Sequence, residues 1–360
     1  MSKFHFSSRN SSIELFRIIA TFSVLIIHFN GWFVGGLPQS LDFGTFTWRW
    51  CQFFITGATC VCVNLFLIIS GFFGLKFKIS SFVQVGLILI GIYIPFSLMY
   101  RFVTWQTISL TGAGYVGDVL YSFYSNFFFI SKAGYFVQCY LMLIFFSPIL
   151  NSFIQNNSRR NVLLWVLLFW FIEFWFGCVQ NVENFGFNNG YSIIHFVLIY
   201  MMARLVALYK VELLRIPSYV WWCGYFFCSV ILAVMYGVGV FWDYANPINV
   251  VSAFCLFMPF LKFSFQSKKV NWIAKHTFAV YIIQVTNPAY YYLTTVDVFM
   301  LNHFSYGFYL LLSVAIMIVF FCTCIIYDWI RELAMSPFEK WIEYKIGKIY
   351  RQELFNNTNV

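Results

Sequence analysis

The sequence predicts an all-α, polytopic integral membrane protein, a helical bundle with about ten transmembrane helices. Of its 360 residues, 61% are hydrophobic and only 10% are charged, and the mean hydropathy is +0.77. Soluble domains carry roughly 25% charged residues, so this composition excludes a water-soluble fold. The basic residues give a formal net charge of +9. They are scattered singly or in pairs, which argues against a nucleic-acid partner.

Ten stretches have the roughly 20 mostly apolar residues that a helix needs to cross a bilayer. In chain order they cover residues 13–30, 52–74, 79–101, 134–154, 161–179, 191–210, 218–239, 246–265, 272–293 and 305–327. Between the third and fourth stretches, residues 104–133 include a shorter apolar piece, residues 119–130, which we expect to form a short helix in an outer loop. Residues 1–327 are therefore predicted to form a single transmembrane domain.

The distribution of Lys and Arg predicts the orientation of this bundle, because cytoplasmic segments are enriched in both residues. With ten crossings and both termini in the cytoplasm, all but three of the 22 basic residues lie on inner segments or inner helix ends. The exceptions are Arg49, Arg101 and Lys132. Residues 328–360 interleave apolar and charged side chains, which is typical of an amphipathic tail lying on the inner leaflet. We expect a multi-pass protein of the cell membrane.

Ionisable side chains inside a bilayer are costly and mark candidate sites, and the first helix has three of them, Glu14, Arg17 and His28. At about 100° and 1.5 Å per residue, Arg17 and His28 differ by about 20° in direction and about 16 Å in height. They therefore share one face. Arg17 is either a snorkelling residue paired with Glu14 or part of a site. His28 is either an imidazole at the headgroup level or a base that takes a proton from a hydroxyl.

Several segments carry motifs that recur together in one family. The first helix has Arg, ten intervening residues and His, and the second ends in NLFLIISGFFGL. The further segments are GYFVQCYLMLIFFSPILN (134–151), NGYSIIHFVLIYMMARLVALYK (189–210), WIAKHTFAVYIIQ (272–284) and IIYDWIREL (325–333). Over nearly the whole chain, this set resembles the membrane-bound acyltransferase 3 family. The Arg-to-His spacing and the Ser-Gly-Phe turn are its individually specific features.

The resemblance implies about ten spans and an O-acyltransferase. Such an enzyme moves an acyl group, commonly acetyl, from cytoplasmic acyl-CoA to a hydroxyl of a surface polysaccharide or lipid-linked glycan. By this resemblance His28 is the catalytic histidine, with Arg17 as its partner on the first helix. Glu14 stands where the family usually has Asp, which keeps the charge and lengthens the reach. No metal is expected.

The resemblance also implies a binding site for acetyl-CoA, or another acyl-CoA, at the inner end of the bundle. Ser70 and Gly71 occupy the Ser-Gly-Phe turn at the end of the second helix. Lys76 and Lys78 follow this turn, and their ammonium groups are either ligands of the CoA phosphates or ordinary membrane anchors.

Other polar residues lie inside apolar stretches. Arg204 is a candidate for binding a donor phosphate or for pairing with Glu14. Asn64 and Glu173 are candidate substrate-binding residues, Glu173 among aromatic neighbours. Gln284 stands where family members often have His, which is a departure from the family pattern.

Two alternatives to an enzyme are compatible with the same features. A transporter or flippase for a glycan or lipid would also need polar residues inside the bundle, although the two repeated halves common in such proteins are not detectable. A sensory membrane domain would tolerate replacement of His28. Acetyl and succinyl donors both fit the sequence, as do direct transfer and an acyl-histidine intermediate.

Overall fold

The computed structural model describes residues 10–31, 46–104, 134–180, 186–240 and 243–357, and most of them are helical. The α-helices are α1 Ser11–Asn30, α2 Phe46–Thr59, α3 Cys62–Phe73, α4 Ile79–Thr104, α5 Tyr135–Asn156, α6 Arg159–Ile172, α7 Ile193–Leu208, α8 Lys210–Leu213, α9 Ser218–Gly237, α10 Pro247–Lys262, α11 Lys268–Gln284, α12 Asn287–His303 and α13 Tyr306–Asn357. A π-helix, Glu173–Val179, continues α6, and two single-turn 3₁₀ helices cover Asn188–Gly190 and Asp243–Ala245. A helix satisfies its own backbone hydrogen bonds, which a bilayer requires.

Among the described residues, seven helical stretches are long and apolar enough to cross a membrane, which makes this a multi-pass membrane protein. They are Ser11–Asn30, Arg49–Phe73, Ile79–Phe96, Tyr135–Asn156, Arg159–Val179, Ser218–Gly237 and Tyr306–Ile342. Ile193–Leu208 and Pro247–Lys262 are shorter apolar helices. Large apolar side chains such as Phe171, Phe227 and Val319 face outward, and a surface of this kind suits contact with lipid.

The structure refines two of the predicted spans. The predicted span 52–74 corresponds to the long apolar stretch Arg49–Phe73, in which α2 and α3 are separated at Cys60 and Val61. The predicted span 272–293 is interrupted at Val285 and Thr286, where α12 begins with Pro288 in its first turn; proline lacks the N–H that a continuous helix would need there. The predicted short helix 119–130 lies outside the described residues.

The residues of the predicted tail continue the last helix of the bundle. Helix α13 runs without interruption from Tyr306 to Asn357. Pro337 lies inside it. Apolar and charged side chains interleave after Tyr327 in the sequence, so this amphipathic region is the last part of one long helix.

Helix α1 lies at the centre of the bundle and packs against α2, α3, α10, α11 and α13. Phe16, Ala20 and Val24 contribute to a core with α3, α7 and α10. Leu25 and Phe29 contribute to a second core with α4, α11 and α13. Helix α1, which carries Glu14, Arg17 and His28, is thus enclosed by protein on both sides, as the burial of Glu14 requires.

Contacts at the two ends of α1 define the directions of its neighbours. The Ser11 hydroxyl donates to Asn271 Oδ1 over 2.8 Å, and His28 meets Gln284, so α1 and α11 run in parallel. At the end of α1, Asn30 Nδ2 donates to Thr56 Oγ1 over 2.7 Å. Thr56 lies in the last turn of α2, so the end of α1 is close to the start of α3. Phe16 and Phe72 both contact Phe257, so α3 runs antiparallel to α1.

Candidate active site

A cavity of about 1110 Å³ follows α1 through the bundle. Helices α1, α2, α3, α4, α5, α9, α11 and α12 line it together with the two 3₁₀ segments. Its polar and ionisable lining residues are Arg17, His28, Thr56, Cys60, Ser70, Tyr135, Tyr140, Asn188, Tyr191, Tyr236, Asp243, Tyr244, Lys275, Thr277, Tyr281 and Tyr290. The cavity is therefore an aromatic passage with few charged groups.

The charged groups lie at opposite ends. Arg17 and Lys275 stand near the starts of the parallel helices α1 and α11, and we call this the cationic end. Asn188, Tyr191, Asp243 and Tyr244 belong to the two 3₁₀ segments and the residue after the first, and we call them the loop end. His28 lies on α1 about 16 Å beyond Arg17, towards the loop end.

Arg17 and Glu14, two of the three ionisable residues that the sequence places on the first helix, form an ion pair. Arg17 Nη1 is 3.3 Å from Glu14 Oε2, and the side chains are 41% and 8% exposed, respectively. A half-exposed guanidinium beside a cavity remains able to contact a ligand, whereas the buried Glu14 holds it in place. The ion pair with Glu14 is therefore present, and a role of Arg17 in the site stays a prediction.

His28 lines the cavity, and its Nδ1 is 3.2 Å from Oε1 of the fully buried Gln284. With the amide oxygen as acceptor, Nδ1 carries the proton of the neutral ring. Nε2 is then the basic nitrogen. This is the state that a general base needs, because a proton can be accepted only by the nitrogen that lacks one. Gln284 stands where the family resemblance leads one to expect His, and only the tertiary structure reveals its contact with His28.

Ser70 also lines the cavity, and its hydroxyl donates to the Phe66 carbonyl over 2.9 Å. Because this hydroxyl has one proton, the Tyr140 hydroxyl, 3.1 Å away, is the donor to Ser70 Oγ. The neighbouring Gly71 serves close packing instead, since a Cβ there would lie 2.6 Å from the Tyr200 carbonyl oxygen on α7.

The segment after α3 is anchored on α7 and α5. Tyr200 donates to Asn151 Oδ1 over 2.8 Å and accepts from the Leu75 amide, while Asn151 Nδ2 donates to the Leu75 carbonyl over 2.8 Å. Arg204 Nη1 donates to the Phe72 carbonyl over 3.3 Å at the end of α3. Arg204 thus bonds to this helix end, whereas Glu14 pairs with Arg17.

Lys76 and Lys78 are exposed directly after this anchored segment. Neither is among the described residues that line the cavity. Their ammonium groups are accessible to a ligand outside the bundle, near the end of α3 from which Ser70 faces the cavity. The anchoring of Leu75 fixes where the chain that carries them leaves α3.

Asn64 and Glu173 are brought together by His195, which sequence reasoning did not select. His195 Nδ1 is 3.1 Å from both Glu173 carboxylate oxygens, and its Nε2 is 2.8 Å from Asn64 Oδ1. All three side chains are fully buried. Asn64 Nδ2 donates to the Tyr244 carbonyl over 3.1 Å, so the network, although outside the described cavity lining, supports the loop end.

The amide of Asn64 fixes the proton positions in this network. Since its nitrogen donates to a carbonyl, its oxygen must accept from His195 Nε2–H. One further proton is then shared between His195 Nδ1 and the Glu173 carboxylate. A buried carboxylate is stable only with such a partner, which explains why a Glu lies in an apolar helix at the start of the π-helix.

Asp243 is the one carboxylate among the described residues that line the cavity. Burial raises the pKa of Asp243 to about 6, against a hydrogen bond from Tyr191 that lowers it. Burial also raises the pKa of Tyr191 and Tyr244, so both phenols remain neutral donors. Asp243 lies in a loop rather than in an apolar stretch. The rule that marks ionisable residues inside the membrane as candidate site residues therefore does not apply to it.

Comparison with known proteins supplies the remaining evidence. A family model described as an acyltransferase domain matches residues 10–338. No curated protein and no solved structure matches the chain.

Proposed function

On the strength of that match the chain belongs to the acyltransferase 3 family, and we propose a function for its cavity. The protein is an O-acyltransferase that moves an acetyl group from cytoplasmic acetyl-CoA to a hydroxyl of a surface polysaccharide or lipid-linked glycan. The observation that carries this proposal is one cavity with cations at one end, His28 along it and a polar loop end. Donor and acceptor then reach one histidine from opposite sides.

The proposed topology has ten crossings, with both termini in the cytoplasm. Seven long apolar helices and the two shorter ones, α7 and α10, account for nine crossings, and the interrupted pair α11 and α12 for the tenth. Residues 1–327 form the acyltransferase domain and residues 328–360 the cytoplasmic tail. The cationic end then faces the cytoplasm of a cell whose outer surface displays the glycan, in agreement with the distribution of Lys and Arg.

In the proposed donor site, Lys76 and Lys78 bind the CoA phosphates as point charges. The pantetheine arm enters at the half-exposed Arg17 and passes Ser70 and Tyr140 along the cavity. From Arg17 to His28 the helix rises about 16 Å, which an extended arm spans. Gly71 and Arg204 contribute indirectly, since they hold α3 against α7 and so fix the segment that carries the lysines.

In the proposed reaction, His28 Nε2 accepts the proton of the acceptor hydroxyl while the hydroxyl oxygen attacks the thioester carbonyl carbon. The C–S bond breaks, the ester forms, and the proton passes from His28 to the CoA thiolate. Gln284 accepts from Nδ1–H and stabilises the imidazolium that exists between these two proton transfers. In the alternative route, Nε2 attacks the thioester carbonyl carbon first, and the C–S bond breaks to release the CoA thiolate. The acceptor hydroxyl oxygen then takes the acyl group from Nε2, while the hydroxyl proton passes to the thiolate.

The test measures label transfer from radiolabelled acetyl-CoA to the glycan and lipid fractions of inverted membrane vesicles. His28→Gln keeps much of the side-chain volume and removes the base, so incorporation should fall by about 100-fold or more. His303→Gln is the matched control, because His303 is exposed on α12 and bonds only locally to the Phe299 carbonyl. This control should retain activity.

Equal incorporation by wild type and His28→Gln would remove His28 from the chemistry. If neither acetyl-CoA nor succinyl-CoA labelled any fraction, the acyltransferase proposal would fail for this chain. The transporter interpretation would then be examined with vesicle uptake of the glycan fraction.

A further inference from the structure

The loop end has an unusual backbone. Among the described residues, the non-glycine residues with positive φ are Asn188 at 42°, Asn189 at 51° and Asp243 at 39°. All three lie in the two 3₁₀ segments, and Asn188 and Asp243 line the cavity. Such backbone conformations are costly for non-glycine residues and concentrate at ligand-binding sites.

The two 3₁₀ segments are pressed against each other. Gly190 has φ of 92°, and a Cβ there would lie 2.8 Å from both the Ala245 amide nitrogen and Tyr244 Cβ. No other residue type fits this contact without movement. The side chains of Asn188 and Asp243 are thus presented to the cavity from two chain segments in direct contact.

Buried amides hold the second segment from behind. Asn249 Nδ2 donates to the Asp243 carbonyl over 2.9 Å and to the Cys60 carbonyl over 3.1 Å. Asn64, which His195 and Glu173 orient, donates to the Tyr244 carbonyl. Asn249 and Asn64 are fully buried. The positive φ at Asp243 is therefore maintained by the fold, which keeps its side chain in one position.

The charge of this end restricts what it binds. Among the described lining residues, the cations Arg17 and Lys275 belong to the opposite end, and Asp243 is the one carboxylate. A carboxylate accepts hydrogen bonds from hydroxyls and repels a second anion. The surrounding Tyr191, Tyr236 and Tyr244 add apolar ring faces and phenolic hydroxyls.

We propose that the loop end is the acceptor subsite and that Asp243 selects an uncharged sugar unit over an acidic one. Asp243 and Asn188 bind the hydroxyls of this unit, and the tyrosines contact its C–H faces. The inference rests on the proposed acyltransferase function and adds to it the chemical class of the unit that is acylated.

The test uses the purified full chain, radiolabelled acetyl-CoA, and two sets of dodecyl glycosides as acceptors. One set has neutral sugars, namely glucose, galactose and mannose, and the other has the corresponding uronic acids. Asp243→Asn removes the charge and keeps a residue that tolerates positive φ. Asp243→Glu, a separate variant, keeps the negative charge on a longer side chain. Glu212→Gln is the control for the loss of one carboxylate at an exposed position.

We expect wild type to prefer a neutral glycoside by about tenfold or more over its uronide. In Asp243→Asn this ratio should fall by about tenfold, mainly through the acceptor KM, and Asp243→Glu should recover part of it. Glu212→Gln should keep the wild-type ratio. Thermal stabilisation of each variant by coenzyme A reports separately on the fold and the donor site.

The proposal is overturned if wild type acylates uronides as well as neutral glycosides, or if Asp243→Asn leaves the ratio unchanged. It is also overturned if endogenous glycan is labelled and no neutral glycoside is. Labelling of neither glycosides nor endogenous fractions is a different result, because it rejects the acyltransferase function itself. If coenzyme A no longer stabilises Asp243→Asn against heat, that variant is set aside. The preference of Asp243→Glu for neutral glycosides over uronides is then compared with that of wild type, and a loss of this preference contradicts the proposal.

Discussion

Gln284 illustrates how a single residue sets the chemistry of another one 256 positions earlier in the chain. An imidazole acts as a base only through its unprotonated nitrogen, and the partner of the other nitrogen decides which nitrogen that is. Gln284 is fully buried and therefore held in place by the surrounding helices. Its side chain thus has the position of a residue that orients His28.

Replacing Gln284 by Leu should lower kcat by about tenfold or more, because the proton on Nδ1 loses its acceptor. The KM for acetyl-CoA should change little, since Gln284 lies far from the cationic end. Gln284→His restores the residue that the family often has and should retain most of the kcat. Steady-state kinetics with both variants checks this, and a Leu variant with wild-type kcat would show that Gln284 has no positioning role.

Asp243 predicts a pH dependence of acceptor binding. Its pKa of about 6 means that the carboxyl is protonated at pH 5 and ionised at pH 7. The groups around it are the phenols of Tyr191, Tyr236 and Tyr244 and the thiol of Cys60. Even the ordinary pKa values of phenols and thiols lie well above this range. The acceptor KM should therefore fall as the pH rises through about 6.

The acceptor KM of Asp243→Asn should lack this step between pH 5 and 7. Initial rates over a range of acceptor concentrations, at saturating acetyl-CoA, separate this KM effect from changes in kcat that arise at His28. A step that persists in Asp243→Asn would assign the titration to another group.

At the scale of the elements, the π-helix Glu173–Val179 is tied to α7 and α3 by a buried ion pair and an amide. Removing one partner of such a pair leaves the other without compensation inside the protein. Removing both replaces the pair by apolar contacts and is often far less damaging.

Glu173→Leu should therefore destabilise the protein by about 3 kcal/mol or more, whereas Glu173→Leu with His195→Leu should cost less than the single change. Unfolding of the detergent-solubilised protein, followed by its resistance to heat, gives this comparison. If the double variant is less stable than wild type by the sum of the two single-variant effects, the two residues act independently.

The packing of α3 on α7 depends on Gly71. A methyl group at this position would meet the Tyr200 carbonyl oxygen and Ala203 Cβ at 2.6 Å, so backbone must move. Gly71→Ala should lower stability by about 1–3 kcal/mol, the usual cost of overpacking.

Gly86→Ala is the matched control, because nothing lies within 4 Å of a Cβ at this position of α4. Ala is favoured over Gly inside a helix by roughly 0.5–1 kcal/mol, so this variant should be as stable as wild type or more so. Equal thermal stability of Gly71→Ala and wild type would show that α3 and α7 separate at little cost.

At the scale of the whole molecule, the orientation of the cavity decides which substrate enters from which side. In the proposed topology of ten crossings, the Ser158 loop and the end of α13 lie in the cytoplasm. The proposal then has the donor enter at Arg17 and the acceptor at the loop end.

Labelling with a membrane-impermeant maleimide checks this orientation in a variant without native cysteines. Ser158→Cys should react in inverted vesicles and not in intact cells, and Asn189→Cys at the loop end should show the opposite pattern. Reaction of both from the same side would contradict the proposed topology and with it the two-sided access to His28.

The sequence by itself determined the features that depend on composition and local periodicity. That the protein is embedded in lipid follows from its low fraction of charged residues, 10%. The shared face of Arg17 and His28 follows from helix geometry, and the family from motifs along the chain, which the match over residues 10–338 confirms. The break inside the predicted span 272–293 was not predicted, because hydropathy does not register a two-residue interruption before a proline.

Only the tertiary structure decided which polar residues meet. His195 joins Glu173 to Asn64, which lies 131 positions before His195 in the chain. Gln284 contacts His28, and Asp243 faces the cavity from a loop. A buried hydrogen bond depends on the relative direction and register of helices distant in sequence, which periodicity within each helix does not contain. The part of the candidate site that sequence predicts is thus the part on α1, where Arg17 and His28 share one rigid helix. The other residues that line the cavity come together only through the packing of the bundle.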